Sequence, residues 1–464
     1  MKRFVWVQFF LIISLVFASA CASYYRINEE FNRQFESGQI ESANKTLAQV
    51  KKPHKGKATV LHYLNRGVVL ALMGEYEASN EQLEKAYLYI EDQRVNYFNE
   101  AVALLSNPMM AEYKPEDHEL YYLHYYKALN YIKLDRRQEA LVECRRLQLR
   151  VNQINEKYKG KHKLKDNAMV HTLMGIIYDA NGEFNDAFIA YRNAYKVYQE
   201  DYQRLFGLEA PRQLKEDLLR TAAWVGLFDE KEAYEKEFGF AYEAPPAKSA
   251  QLVYFWNNGL GPVKEEWSIN FVVSRNAGGV AFVNEDLGLN FAFAMSSEDY
   301  QKSGLASLGI LRVAFPKYVE RPLLYQSATV HINGKKYPLE VMEDVNAVAF
   351  QSLQQRMLKE LGTSLLRLGL KKAAEYTARG ENEELGAVVG IFNALTEKAD
   401  TRNWQTLPHT LYYTRIMLPE GSHDLGFSPN RSGLSNVQPQ TTLTVQAGNT
   451  YFYSHSSLGS SMRP

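Results

Sequence analysis

Two stretches decide how this chain folds: Gly67-Val68-Val69-Leu70-Ala71-Leu72-Met73-Gly74-Glu75-Tyr76 and Gly175-Ile176-Ile177-Tyr178-Asp179-Ala180-Asn181-Gly182-Glu183-Phe184. They match in size and polarity, and the match continues in register beyond them. Three residues past the aromatic stand Ser79 and Ala187, then Leu83 and Tyr191, then Ala86 and Ala194. A third copy carries Ala128, Tyr131, Asp135, Ala140, Cys144 and Leu147 at the same offsets, and a weaker first copy carries Gly38, Ile40, Ala43 and Leu47. Apolar residues at helical spacing on both sides of a turn residue predict antiparallel helix pairs, with small residues where the two helices cross and large ones filling between. The predicted copies span 24–57, 60–93, 121–154 and 168–201.

These offsets resemble those of the tetratricopeptide repeat, a two-helix unit of about 34 residues, although its tryptophan and late proline are missing. In that register Leu61, Leu64, Val68, Ala71 and Leu72 of the second copy, and Tyr122, Tyr125, Leu129, Ile132 and Lys133 of the third, line the concave face. The face is therefore apolar and unsuited to clamping an acidic peptide terminus. A patch of this kind needs a cover. The sequence leaves two occupants open: a later segment of the same chain, or an apolar segment of a partner protein.

After Ala241 the pattern changes. Glu243-Ala244-Pro245-Pro246 makes a stiff joint, and apolar residues then recur every second position. Strands are expected at Gln251–Trp256, Trp267–Val273, Leu289–Met295, Leu308–Phe315, Ala328–Ile332, Lys336–Val341, Leu411–Leu418, His423–Phe427, Thr441–Gln446 and Tyr451–His455, with Asn333-Gly334 as a hairpin turn. Between them, Val345–Arg379 and Leu385–Phe392 read as helices, the second carrying Gly386 and Gly390 for close contact. The expected architecture is α+β and multidomain. A leader (1–20) precedes a TPR-like α-solenoid (21–242), then a β-rich, sandwich-like domain in two parts (247–344 and 401–464) split by a helical insertion (345–400).

At the amino terminus Lys2 and Arg3 precede an apolar run from Phe4 to Ala20, then Ala18-Ser19-Ala20-Cys21. A charged start, a short apolar stretch and small residues form an export-signal pattern, and the cysteine after the cut resembles the bacterial lipobox. That resemblance implies lipidation of Cys21. Ala22-Ser23 behind it, without an aspartate, implies sorting to the outer membrane, where the periplasmic face is expected. Two or three acyl chains would make the anchor effectively permanent. Lipidation also removes the only disulfide partner of Cys144, since the chain has 2 Cys.

Lys+Arg and Asp+Glu each number 53, and loss of Lys2 and Arg3 leaves 51 against 53, so there is no basic footprint for nucleic acid. The histidines fall in no metal-ligand spacing, no Gly-x-Ser-x-Gly elbow occurs, and Cys144 occupies a packing position. Neither metal nor cofactor is expected. The excess of tyrosine, 31 beside 23 Phe and 5 Trp, suits helix packing. Asn258-Gly259-Leu260-Gly261-Pro262-Val263-Lys264-Glu265 and Asp400-Thr401-Arg402-Asn403-Trp404-Gln405-Thr406-Leu407-Pro408, with His124–Leu147 and Leu173–Tyr195, resemble an uncharacterised family of bacterial lipoproteins that joins such repeats to a β-rich carboxyl half.

The family-motif candidates are therefore Asn258, Gly261, Pro262, Lys264, Asp400, Arg402 and Trp404. The simplest reading of the last three pairs Asp400 with Arg402 at the end of the helical insertion and packs Trp404 in the β-domain. The partner-binding candidates are Leu61, Leu64, Val68, Tyr122, Tyr125, Leu129 and Ile132. The expected function is a non-catalytic, lipid-anchored envelope scaffold whose partner belongs to wall-synthesis or assembly machinery. A glycan- or peptidoglycan-acting hydrolase with carboxylate chemistry in the carboxyl half, and a structural oligomer, are the alternatives.

Overall fold

Every helical hairpin turns on one residue in the left-handed backbone region. Gly38 (φ 73°), Gly74 (83°), Asp135 (54°), Gly182 (77°) and Gly226 (80°) occupy equivalent places. In each turn the following amide reaches back to the carbonyl five residues earlier, as in Glu75 N to Leu70 O (2.9 Å) and Glu183 N to Tyr178 O (2.9 Å), which satisfies the end of the first helix and reverses the chain. The computed structural model describes residues 26–50, 57–95, 112–157, 166–246, 248–276, 279–305, 308–357, 365, 369–370, 399–431, 434–435 and 441–458. The helices are α1 (26–36), α2 (Ile40–Ala48), α3 (Thr59–Leu72), α4 (Tyr76–Val95), α5 (Glu119–Lys133), α6 (Arg137–Lys157), α7 (Ala168–Ala180), α8 (Phe184–Val197), α9 (Arg212–Trp224) and α10 (Phe228–Phe238).

Small and large residues fill the places the repeat assigns them. Ala43, Ser79, Ala140 and Ala187 are wholly buried at the crossings, with Leu83, Cys144 and Tyr191 one turn on. Ser79 Oγ donates to the Gly67 carbonyl at 2.7 Å across its hairpin. The fifth hairpin, α9–α10, was not among the expected copies. Its turn, Gly226-Leu227-Phe228, repeats Gly182-Glu183-Phe184, but Lys231 and Glu235 occupy the second-helix packing positions. No residue of α10 is buried, so it closes the solenoid with a polar face. The fourth unit also overruns its expected end: α8 passes through a π turn, Tyr198–Tyr202, before stopping at Phe206.

Among the described residues the carboxyl half forms three sheets, the first two packed face to face. The first has the order β13-β1-β9-β8, the second β11-β10-β6-β7 with β12 on β10, and the third β4-β3-β2-β5. Here β1 is Ser249–Asn258, β2 Val263–Asn276, β3 Gly279–Asn284, β4 Leu289–Ala294, β5 Ile310–Val319, β6 Ser327–Ile332 and β7 Lys335–Pro338. They are followed by β8 Glu340–Asp344, β9 Thr410–Pro419, β10 Gly421–Arg431, β11 Leu434–Ser435, β12 Thr441–Val445 and β13 Thr450–Ser457. β1 pairs with β13 in parallel and with β9 antiparallel.

The first sheet is a middle layer. Ala250, Leu252, Tyr254 and Trp256 of β1 pack on the second sheet, while Val253 and Phe255 join the core of the helical half. A strand covered on both faces has no polar face to show, which is why Leu252–Trp256 is continuously apolar. The third sheet has its own core of Ile269, Phe271, Phe282 and Leu311, to which Leu365 belongs.

Lys336–Val341, expected as one strand, is two, β7 and β8, parted at Leu339, whose amide bonds Ala328 O at 3.0 Å. β3 was not expected, because Val280, Ala281 and Phe282 are all buried and do not alternate. The insertion helix is observed at 345–357, 365 and 369–370; the remainder of Val345–Arg379 and all of Leu385–Phe392 lie outside the described residues. Among the described residues no helix is long and apolar enough to cross a membrane.

The helix crossings give a direct test. A Cβ on Gly175 would lie 2.5 Å from Tyr191 Cδ1, and one on Gly67 2.6 Å from Leu83 Cδ2. Tyr191 is held through its hydroxyl, whereas the end of a leucine can turn aside. Gly175→Ala is expected to destabilise the protein by about 1–3 kcal/mol and Gly67→Ala by less, read from urea unfolding midpoints.

Candidate functional site

The seven expected partner-binding residues are all buried, Tyr122 and Tyr125 completely. The concave face is filled from within, by the chain's own carboxyl half, so its reading as an open partner groove is corrected. Val253, Phe255, Leu260, Met342, Trp404, Leu407, Leu411 and Tyr413 join the same core as Leu61, Leu64 and Val68. Tyrosine hydroxyls mark the seam: Tyr125 donates to Asn257 Oδ1 at 2.9 Å and Tyr198 to the Met342 carbonyl at 2.6 Å. Lys133 Nζ reaches the Phe452 carbonyl at 3.2 Å, and burial lowers its pKa to about 8.

At the middle of this seam lies a buried ion cluster. Arg415, inward-facing on β9, places Nε 2.8 Å from Asp217 Oδ1 and Nη2 3.1 Å from Asp179 Oδ2. The same Nη2 donates to the Tyr191 hydroxyl at 2.8 Å, and Nη1 bonds the Gln251 side chain. Arg220 of α9 joins both aspartates, at 3.1 Å to Asp179 Oδ1 and 3.0 Å to Asp217 Oδ1. Gln213 Oε1 accepts the Arg415 amide at 2.9 Å. Burial alone would push the Asp179 carboxyl up, but Arg220 and Arg415 hold it below the usual range. Two guanidinium groups thus balance two carboxylates, and the added hydrogen bonds from Tyr191, Gln213 and Gln251 help to make the buried charges tolerable, although Asp217 Oδ2 is left without a hydrogen-bond partner.

Sequence reasoning missed this cluster. Its trace is present, however: Asp179 stands on an apolar stripe where the second copy has Ala71, and Arg415 interrupts the apolar run Leu411–Leu418.

A second cluster gathers the family-motif residues. Asn403 holds the two motif segments together, its Nδ2 donating to Pro262 O at 2.8 Å and its Oδ1 accepting the Lys264 amide at 3.2 Å. Gly261 N bonds Leu407 O at 2.7 Å; a Cβ there would meet the Leu407 and Pro408 carbonyls at 3.3 Å. Asn258, at the end of β1, donates to Tyr325 O at 2.8 Å. Lys264 is buried against Glu116, which also meets Arg356 Nη1 at 2.6 Å. Burial opposes the Glu116 charge, yet Lys264 and Arg356 outweigh it and lower its pKa to about 2.

Asp400 and Arg402 pair as expected, at 2.8 and 2.7 Å, and Arg402 also donates to Lys57 O at 3.0 Å. The expected place of Trp404 is corrected. Its ring joins the helical core, 6.0 Å from Tyr126, and its amide donates to Glu119 Oε1 at 2.7 Å. It packs there because Gly261 and Asn403 tie its segment to residues 261–264, whose Lys264 pairs with Glu116 in the loop before α5. Together these motif residues fasten the two halves of the chain. Every member of the two clusters except Arg356 and the Asp400–Arg402 pair is under a tenth exposed.

Another buried carboxyl, Glu343, faces the start of α7. Tyr202 donates to it at 2.8 Å. Burial raises its pKa to about 8, an effect to which Asp344 adds and which Tyr202 opposes.

An open concavity lies on the outside, between second helices. A cleft of about 420 Å³ runs along α4 and α6, lined by Glu77, Asn80, Glu81 and Glu84 on one side and Glu139, Val142, Glu143 and Arg146 on the other. Lys127, 1% exposed beneath it, pairs with Glu84 and with Glu143 at 2.8 Å. Cys21 lies outside the described residues. Among the described residues no group of three His, Cys, Asp or Glu could hold a metal ion.

No family model matches the chain, and no curated protein matches it. Among solved structures it is similar to MamA (41-end) from Desulfovibrio magneticus RS-1, at 14% identity over 46% of this chain and 90% of that one, TM-score 0.29. It is similar to the apo form of RapI, at 15% identity over 44% and 49%, TM-score 0.30. A Podosopora anserina protein of nearly identical TPR-like repeats matches at 14% identity over 46% and 92%, TM-score 0.30. The solenoid assignment here rests on the hairpins themselves.

Two outcomes follow from the seam. Arg415→Ala strands two buried carboxylates on one guanidinium and is expected to cost about 3–5 kcal/mol, measured by urea unfolding followed on tryptophan fluorescence. Glu343 has a folded pKa above its ordinary 4.5, so the folded state holds the extra proton. Its contribution is complete below about pH 4.5 and is lost as pH rises through about 8. Glu343→Gln is expected to flatten that decline, leaving the variant more stable than wild type at pH 9 in thermal unfolding across a pH series.

Proposed function

We propose that this chain is a non-catalytic scaffold for protein partners, anchored through a lipidated Cys21 to the outer membrane of a cell envelope and facing the periplasm. The observation that carries the reading is the filling of the concave face by the chain's own sheet. Solenoid and sheet then form one body held by buried ion pairs, and an open concavity lies on the outer surface of the repeats. The perturbed titratable groups Glu116, Asp179 and Glu343 sit in that seam. A catalytic centre needs such groups beside a substrate-sized opening; here they serve attachment.

In the proposed setting, the partners are envelope proteins, among which wall-synthesis and assembly machines are the candidates. With the first described helix beginning at residue 26, the body would ride within a few residues of the acylated cysteine, so its partners belong at the bilayer surface.

The anchor is tested by metabolic labelling with a palmitate analogue. Wild type is expected to incorporate label and to fractionate with membranes, and Cys21→Ser to lose both. Equal labelling of the two forms sinks the anchor. Crosslinking and affinity purification from membranes test the scaffold. At least one envelope protein is expected to enrich with wild type over Cys21→Ser, and enrichment of none contradicts it.

A further inference from the structure

We infer that the outer cleft between α4 and α6 is a docking site for an extended, basic peptide segment of a partner protein. This inference deepens the scaffold reading and rests on it. Three observations meet in the cleft. Five glutamates line it, Glu77, Glu81, Glu84, Glu139 and Glu143, against two arginines, Arg136 and Arg146. Lys127 and Arg146 engage Glu84 and Glu143, and Arg136 engages Glu139. Glu77 and Glu81 are exposed and, among the described residues, form no salt bridge, although Glu77 lies within electrostatic reach of Arg136.

The second observation is Asn80 on the floor. It is 7% exposed, and its Oδ1 accepts from Asn130 Nδ2 at 2.9 Å, which fixes the orientation of the amide. Nδ2, on the amide's other arm, has no acceptor. A buried donor without a partner is costly, and a carbonyl entering the cleft would supply one. Main-chain carbonyls are free in an extended peptide and already used in a helix, so this donor selects an extended segment.

The third observation is apolar. Val142 lines the cleft at 42% exposure, and along the same two helices Leu88 and Leu149 are 53% and 60% exposed. Leu88 lies one turn beyond Glu84, and Leu149 two turns beyond Val142, so a segment following the cleft meets carboxylates first and leucines next. The matching ligand alternates Lys or Arg with apolar residues, its cations facing Glu77 and Glu81 and one carbonyl over Asn80.

The test uses the full chain and a fluorescein-labelled alternating Lys-Val octapeptide in fluorescence anisotropy, with an alternating Glu-Val octapeptide as control. Saturable binding of the Lys-Val peptide, weakened by added salt, is expected. Glu77→Lys with Glu81→Lys should weaken it about tenfold or more, with an unchanged unfolding midpoint because both side chains are exposed. Binding no better than that of the Glu-Val peptide, or equal binding by the double variant, overturns the proposal.

Partner capture from membranes separates this failure from failure of the scaffold reading. If the double variant captures what wild type captures, the scaffold stands and the cleft site falls. If the peptide binds but wild type captures nothing, the site stands without the scaffold. Concentration-dependent self-association on size exclusion that the double variant abolishes would make the occupant a second copy and would overturn the partner assignment.

Discussion

The whole arrangement depends on one guanidinium. Arg415 sits at the centre of β9, itself between the solenoid and the second sheet, and its charge is balanced only when α7 and α9 bring Asp179 and Asp217 to it. Those aspartates are in turn held by Arg220. Oil-like contacts would tolerate many placements of a sheet in a greasy groove, because apolar burial has no direction. A buried charge does not tolerate them: a slip of one residue along β9 would turn the guanidinium away from both carboxylates, leaving it unpaired and the two carboxylates on Arg220 alone. We therefore regard the cluster as a device that selects one register rather than as a large source of net stability, consistent with the near-cancellation of desolvation and attraction in buried pairs.

The same logic runs through the tyrosines. Tyr125, Tyr198 and Tyr202 each bury a ring in the helical core and extend a hydroxyl to the sheet or the strand beside it. The π turn at Tyr198–Tyr202 widens the last long helix where two of these side chains must reach β8. A tyrosine-rich composition is what an apolar groove with a polar lining on its occupant demands. Phenylalanine would fill the space but leave Asn257 Oδ1 and the Met342 carbonyl without donors.

Much of this was legible in the sequence, for reasons that can be named. Four hairpins were readable because their small and large positions recur as Ala43, Ser79, Ala140 and Ala187, followed by Leu83, Cys144 and Tyr191. The fifth was not, because a terminal helix faces water and carries Lys231 and Glu235 where the pattern expects apolar residues. Strands were readable from alternation, but their partners were not: hydrogen-bond pairing between β1 and β13 leaves no local mark. The concave face was identified correctly as apolar, yet its occupant had to be left open, since apolar surface does not say what covers it. Charged residues on apolar stripes, Asp179 and Arg415, were the overlooked clue. Each is improbable alone, and together they announce a pair.

The parallel pairing of β1 with β13 reaches further than the sheet. Residues near 250 are joined to residues near 455, and of the chain between them only β8 and β9 return to the central layer. A ribosome delivers the solenoid first, with Leu61, Leu64, Val68 and the tyrosines of α5 uncovered, and delivers β9 and β13 last. The early chain therefore carries a sticky surface for most of its synthesis, and closure of the groove must await a strand made some two hundred residues later. Non-local topology of this kind makes closure of the groove a late and slow step of folding.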